Sequence, residues 1–512
     1  MLPQVGLLKV IAMLDGAMAL HLSNRLGFGP APGQLDQIKS AGFEDYVETQ
    51  LHPQPQKLPP ALDRQLRSIP TFGKNTFDLY REHWWKLDAR MPSGQKLAKE
   101  QLKLMKVVTA EVAPQIRMAR LARSIASPYQ LHEALVDFWF NHFNVYARKK
   151  EVKIWIGAYE EEAIRPHSLG KFSELLLATA KHPAMLVYLD NWRNVAPGSG
   201  RQQGKMSGIN ENYAREVMEL HTLGVDGGYT QSDVTSLAHI LTGWTVGFER
   251  GSDPGDPSEE NWRHVIRGGF HFAPQRHDAS PQTLLGRKFA GADVGEGEAA
   301  LLMLAHHPST ARHVSFKLAQ YFVLDQPPQQ LVDAMAETFR KTDGDIRAVV
   351  RTMLESRTFR DPSTFGRKFK TPYRYVVSSA RAVGEDPAKA APLAETLKQL
   401  GQPLYECVTP DGYACTESAW LDPDAMMRRI SFAVKFGSGA FAQAYLTNAG
   451  YGTMSKKVHL QPEEAGGTPV DPDKLLDTLG LEISATTRAA LAKMAKGERA
   501  GAILGSPEFM RS

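Results

Sequence analysis

The stretch richest in reactive side chains runs Asn210-Glu211-Asn212-Tyr213-Ala214-Arg215-Glu216-Val217-Met218-Glu219-Leu220-His221-Thr222. At about 100° per residue, Glu211, Asn212, Arg215, Glu216, Glu219 and Thr222 share an arc of roughly 140° of a helix, and the apolar residues with His221 fill the other side. On such a wall Arg215 is placed to hold a carboxylate ionised. Glu216 and Glu219, one helical step apart, can then differ in proton affinity and work as acid and base. The competing reading is a solvated face whose i,i+4 pairs are worth a few tenths of a kcal/mol. Against it stands the composition, since Asn at two of three consecutive positions is a poor choice for helix stability alone. Asn210, Asn212 and Asp190 are the expected polar substrate contacts, and Trp139 and Trp244 are candidate sugar-stacking rings or, equally, core fillers.

Histidine supplies the second chemistry. His142 lies among Trp139, Phe140 and Phe143, His167 follows Arg165-Pro166, and His277-Asp278 falls in an irregular segment. No His-Glu-x-x-His spacing occurs, so a divalent metal has to be assembled from distant positions, with His142, His167, His277 and Asp278 as the ligand set to test. The tandem His306-His307 precedes Pro308 and reads as a helix junction. Asp253, Asp256, Glu259 and Glu260 lack the twelve-residue order of a calcium loop. Neither a phosphate-binding glycine loop nor a Gly-x-Ser-x-Gly elbow is present.

The elements that must carry these groups are helical. Apolar residues recur at helical spacing over 131–145, 152–164, 172–179, 212–222, 233–242, 298–305, 328–342, 345–356, 373–383 and 425–436. Gly224, Gly243 and Gly384 stand where left-handed caps belong, and Pro183 and Pro308 where helices start. The junctions Ala180-Lys181-His182-Pro183 and Ala305-His306-His307-Pro308 echo each other, as do Leu354-Glu355-Ser356 and Leu504-Gly505-Ser506, without forming a repeat period. Gly247 to Asn261 turns to Gly, Pro, Asp and Ser and reads as a long loop. Beyond it, residues 269–272 and 283–285 suggest a small antiparallel hairpin between His271 and Phe289. The expected fold is therefore all-α, a multi-helical bundle over 1–450 with a loop and hairpin insertion at about 247–290. A linker at 451–472 and a helical tail at 473–512, packed on the main body, complete it.

Composition narrows the function classes. Hydrophobic residues make up 42% and charged residues 23%, as in ordinary globular chains. The 60 basic and 56 acidic residues leave a net charge of only +4 with no basic stripe, which argues against nucleic acid as partner. No run reaches the roughly 18 apolar residues of a membrane span. The first 22 residues are interrupted by Lys9 and Asp15 and make a poor export signal. Cys407 and Cys415 are either two thiols or one small-loop disulfide.

Several motifs occur in order: Asn24-Arg25-Leu26-Gly27-Phe28-Gly29, Phe138-Trp139-Phe140-Asn141-His142-Phe143, Arg165-Pro166-His167-Ser168-Leu169-Gly170 and His182-Pro183-Ala184-Met185-Leu186. They continue with Asn210 through Gly224, Gly228-Tyr229-Thr230, Leu241-Thr242-Gly243-Trp244, His277-Asp278, Asp411-Gly412-Tyr413 and Ser506-Pro507-Glu508-Phe509. With these the chain resembles the bacterial domain-of-unknown-function 1800 family along nearly its whole length. The resemblance implies a mostly helical fold and, because relatives are often exported, a periplasmic or extracellular setting; it supplies no activity. The chain departs from the family in its weak export signal and in His221, where relatives often carry an aromatic residue, which argues against His221 as an indispensable ligand.

The leading expectation is thus a hydrolase or lyase acting on an extracytoplasmic polymer, a glycan above all, with carboxylates of the 210–224 helix as acid and base. Glycosidases need two carboxyls roughly 5–9.5 Å apart, which this stretch, or a partner such as Asp190, can provide. The alternatives are a metal-dependent enzyme with dispersed His, Asp and Glu ligands, and a non-catalytic binding or assembly protein of the cell envelope.

Overall fold

A computed structural model describes residues 16–54, 57–80, 82, 99–199, 208–247, 269–441 and 468–512. The fold is all-α: among the described residues helices predominate, and the β structure there is two two-stranded antiparallel sheets and two isolated bridges. Strand 270–272 pairs with 244–246, in register Trp244 with Phe272 and Val246 with Phe270. Strands 282–284 and 287–289 form a tight hairpin of their own, turning through Leu285 and Gly286 at positive φ. The β insertion therefore exists, but its first strand pairs backwards across residues 248–268 rather than forwards to 283–285. Apart from Gly247, the loop expected over 247–261 lies outside the described residues, as do 451–467 of the linker.

Local chemistry explains the helix ends. Thr230 and Asp233 form a capping box, and Asp345, Ser356, Thr371, Asp422 and Ser484 each accept a backbone N–H at a helix start. The echoed His-Pro junctions share one device. His182 and His307 are N-caps whose Nδ1 atoms accept from the N–H of Ala184 and Ser309, both at 3.1 Å, with proline at the first helical position.

The core surrounds helix Gln130–His142 and helix Val152–Ala158, the latter widening into a π turn at Tyr159–Ile164. Trp139, Trp155, Trp244, Tyr159, Tyr213 and Phe143 are completely interior. Into this core the fold sets a buried ion network. Arg165 reaches both oxygens of Glu133 at 3.0 Å and Glu160 Oε1 at 3.0 Å. Arg120 reaches Glu160 Oε2 at 3.0 Å and Asp137, while the hydroxyls of Tyr405 and Tyr321 donate to Glu160 at 2.9 Å and Asp137 at 2.7 Å. The network ties helices 99–126 and 130–142, the π turn and the 400–420 segment into one frame. At the C-terminal end, helix Lys496–Leu504 packs on Pro423–Gly437, Lys368 and Ser512 exchange backbone hydrogen bonds, and the Lys370 N–H donates to Met510 O. Cys407 and Cys415 are free thiols. No helix among the described residues is long and apolar enough to cross a membrane.

Candidate functional site

Helix Asn212–Glu216 continues as a second π turn, Val217–Thr222, where Thr222 Oγ1 donates to Val217 O at 2.6 Å and Leu223 N to Met218 O at 2.9 Å. Such widened turns are rare and recur at functional sites. Tyr213, Ala214, Val217, Met218, His221 and Thr222 are buried, whereas Glu211, Asn212, Arg215, Glu216 and Glu219 look outward and are partly or fully exposed.

The asparagines that helix propensity disfavours are explained by what they hold. Asn210 Nδ2 donates to Asp190 O at 3.4 Å and Asn212 Nδ2 to Leu189 O at 3.2 Å, which pins the helix start to the 189–190 turn. Asp190 itself is left-handed (φ 58), with Oδ2 taken by Lys149 Nζ at 2.8 Å.

The outward face divides into two. On one flank Glu211 accepts from Thr235 Oγ1 at 2.7 Å, Gln231 Nε2 at 2.8 Å and Arg215 Nη2 at 3.0 Å. The Thr235 hydroxyl, with Gln231 and Arg215, holds this carboxyl below the usual range. Glu211 is therefore kept ionised and spends its lone pairs on helix Gln231–Ile240. One turn along that helix, about 5.4 Å further, His239 Nδ1 hydrogen-bonds Asp278, whose backbone N–H donates to Thr242 Oγ1 at 2.7 Å. Glu211, Arg215 and Asp278 thus meet along the row Gln231, Thr235 and His239.

On the other flank the carboxyls are under-compensated. Burial pushes the Glu216 carboxyl above the ordinary glutamate range and the charge of Glu219 adds to the rise; Arg215 pulls the other way, and Asp411 contributes a smaller push. Tyr229 reaches Glu219 from the loop after the helix. Tyr188, whose hydroxyl donates to Val408 O at 2.7 Å, stands within electrostatic range of Glu216 and Asp411. Asp411 is brought in by the 405–413 loop, which two amides of helix 130–142 and its exit clamp. Asn141 exchanges 2.8 Å hydrogen bonds with the backbone of Tyr413, and Asn144 Nδ2 donates to Cys407 O and Thr409 O at 3.1 and 2.7 Å. Gly412 sits at φ +74 with the place of a Cβ only 2.3 Å from Asn141 O. Gly412→Ala is expected to destabilise by about 2–3 kcal/mol through left-handed backbone and overpacking. Chemical denaturation measures this; a loss under about 0.5 kcal/mol, the range of an ordinary surface substitution, would show that the loop is not clamped.

Three expectations need correction. Trp139 and Trp244 have no exposed side-chain surface. Trp139 donates to Ser168 O at 3.0 Å, and Trp244 packs where a Cβ on Gly297 would stand 2.5 Å from its ring. Both are core residues and cannot stack on a sugar. His142 is buried beneath the second π turn, where its Nε2 donates to His221 O at 3.1 Å, as His313 Nε2 does to Leu220 O at 3.0 Å. These neutral imidazoles cap carbonyls freed at the end of the helix.

The proposed metal set is likewise scattered. His167 lies 3.9 Å from Glu174, His277 Nδ1 is 3.0 Å from Thr242 O, and Asp278 is held by His239. Among the described residues no three His, Cys, Asp or Glu side chains are grouped to hold a metal ion. These residues do not fit a metal centre. Sequence reasoning passed over Tyr188, Gln231, Thr235, His239 and Asp411. The i,i+4 row 231, 235, 239 was a readable signal for three of them, and the Asp411-Gly412-Tyr413 motif for the last.

Fold and site together define an all-α protein with a carboxylate-bearing, π-widened helix on its surface. The chain belongs to the DUF1800 family, described as proteins of unknown function, which matches residues 21–511. No curated protein and no solved structure matches it.

Proposed function

We propose that this protein is a hydrolase or lyase acting on an extracytoplasmic glycan, with Glu216 as the proton donor and Glu219 as its partner carboxylate. The observation that carries the reading is the Glu216 carboxyl, pushed towards its protonated form by burial and by Glu219 and Asp411. A carboxyl biased towards its protonated form beside a second carboxyl group is the arrangement that protonates a leaving oxygen and assists attack or proton abstraction on the other side of the bond. Glu211 and Arg215 serve as the rigid flank that holds the helix, and Tyr229 borders Glu219.

The test is release of reducing or unsaturated ends from a panel of bacterial cell-wall and capsular glycans. Glu216→Gln and Glu219→Gln are each expected to cost about 10²–10⁴-fold in turnover. Because Glu216 must be protonated, turnover should fall as pH rises through its elevated pKa. Variants with full turnover, or a rate that climbs over that interval, would remove Glu216 from the role.

A second reading, a non-catalytic envelope assembly protein, is favoured by one feature: Met427, Ile430 and Val434 form an exposed apolar stripe on helix 423–437. It predicts self-association or partner binding that Met427→Glu and Val434→Glu abolish, with no glycan turned over.

A further inference from the structure

With Trp139 and Trp244 in the core, another indole among the described residues, Trp192, follows the turn that holds the helix start. Asn191-Trp192-Arg193 forms a single 3₁₀ turn directly after Asp190, the residue whose backbone Asn210 binds. Tyr188, four residues before Trp192, is within electrostatic range of Glu216, and its ring lies 5.7 Å from the ammonium of Lys149. Two non-glycine residues here, Lys150 (φ 45) and Asp190 (φ 58), adopt the left-handed backbone that side chains disfavour and that accumulates at ligand sites. The result of these two bends is specific. The Lys150 ammonium lies 4.4 Å and the Arg193 guanidinium 4.8 Å from the centroid of the Trp192 ring.

Two cations against one half-buried indole repel each other, and the nearby acids do not neutralise them. Lys149 occupies Asp190 Oδ2, Arg193 stands 3.9 Å from Oδ1, and among the described residues Lys150 has no carboxylate within ion-pair distance. Counting Glu151 as well, Lys149, Lys150 and Arg193 outnumber the acids by one. Trp192 Nε1 and Arg193 Nε are buried without an acceptor. Among the described residues, donors and positive charge are in surplus around an aromatic face, an arrangement suited to an acceptor-rich anion with a flat apolar side. A sugar that bears a carboxylate has both.

We propose that Trp192, Lys150 and Arg193 form a subsite for a carboxylate-bearing sugar, so that the substrate is an acidic polysaccharide. The ring would take the apolar face of the sugar and the two cations its carboxylate. This rests on the glycan reading above and narrows it.

The experiment is calorimetric titration of the full-length Glu216→Gln protein with oligogalacturonate, with a neutral xylo-oligosaccharide of equal length and with single-stranded DNA. Oligogalacturonate is expected to bind about tenfold or more tighter than the neutral oligomer and to weaken with salt. Lys150→Ala with Arg193→Ala should cost about tenfold, as should Trp192→Leu, at unchanged melting temperature. The proposal is overturned by absent binding, by equal affinity for the neutral oligomer, or by indifference to the substitutions. DNA binding as tight and insensitive to Trp192→Leu would overturn it too, since that is a plain basic patch. Acidic oligomer bound in this pattern but never cut by the wild-type protein would sustain the subsite and sink the acid–base reading. Cleavage of a neutral glycan without acidic preference would do the reverse.

Discussion

Glu160→Ala is expected to lower the unfolding free energy by about 3–5 kcal/mol, because it strands two buried guanidiniums at once. Arg120 and Arg165 both spend a charge-assisted hydrogen bond on Glu160, and Tyr405 adds a third donor. Burial alone would raise the carboxyl; Arg120 and Arg165 outweigh it and hold Glu160 ionised below the usual range. Removing the acid leaves Arg165 with Glu133 and Arg120 with Asp137, each buried and one partner short. Urea unfolding followed by far-ultraviolet dichroism measures the loss. A change below about 1 kcal/mol would mean that the network behaves like surface ion pairs.

The second large effect is acid lability well above the carboxylate range. His21 and His221 are buried, and burial first, then Arg25 for His21 and His313 for His221, lowers both from 6.5 to about 3. His142 is lowered too, by burial first and then by His313 and His221. A histidine whose folded pKa is depressed contributes stability that is complete above its unfolded value and lost as pH falls. The window therefore opens near 6.5 and runs down to about 3. At pH 5 each of His21 and His221 has given up about 2 kcal/mol, about 4 kcal/mol for the pair. Below the ordinary glutamate range Glu133 and Glu160, held low by their arginines, add to the loss. Stability measured by urea titration should fall between pH 7 and 5, and a flat profile would contradict buried neutral imidazoles. His221→Phe supplies the internal control. Both His221 ring nitrogens are buried without partners, and the ring already packs 5.0 Å from Phe143. Phenylalanine should therefore raise stability at low pH and flatten the profile by about half of the pair's contribution.

How much of the site was readable depends on the distance over which each residue acts. The division of the 212–222 stretch into an outward polar and an inward apolar face came from helical period alone; it fails at Leu220, which is partly exposed, and at Thr222, expected on the polar face but buried where the π turn rotates it inward and its hydroxyl donates to Val217 O. The odd asparagines signalled a job, but not that the job was to hold the 189–190 backbone, some twenty residues away. Trp139 and Trp244 carry no local mark that separates a stacking ring from a core ring; a glycine at 297 and a carbonyl at 168 decide it. His142 resembled a ligand only until the π turn of another helix placed a carbonyl over it.

By itself the sequence determined the helices, because the period of apolar residues and the capping side chains act over a few positions. It also determined the His-Pro and Ser junctions, where a cap and the backbone it binds are two or three residues apart. Only the tertiary structure decided which charges are buried, that strand 270–272 turns back to 244–246, and that Asp411 arrives beside Glu216. Those outcomes depend on desolvation and on contacts across tens to hundreds of residues, and burial rather than residue type is what raises the proton affinity of a glutamate.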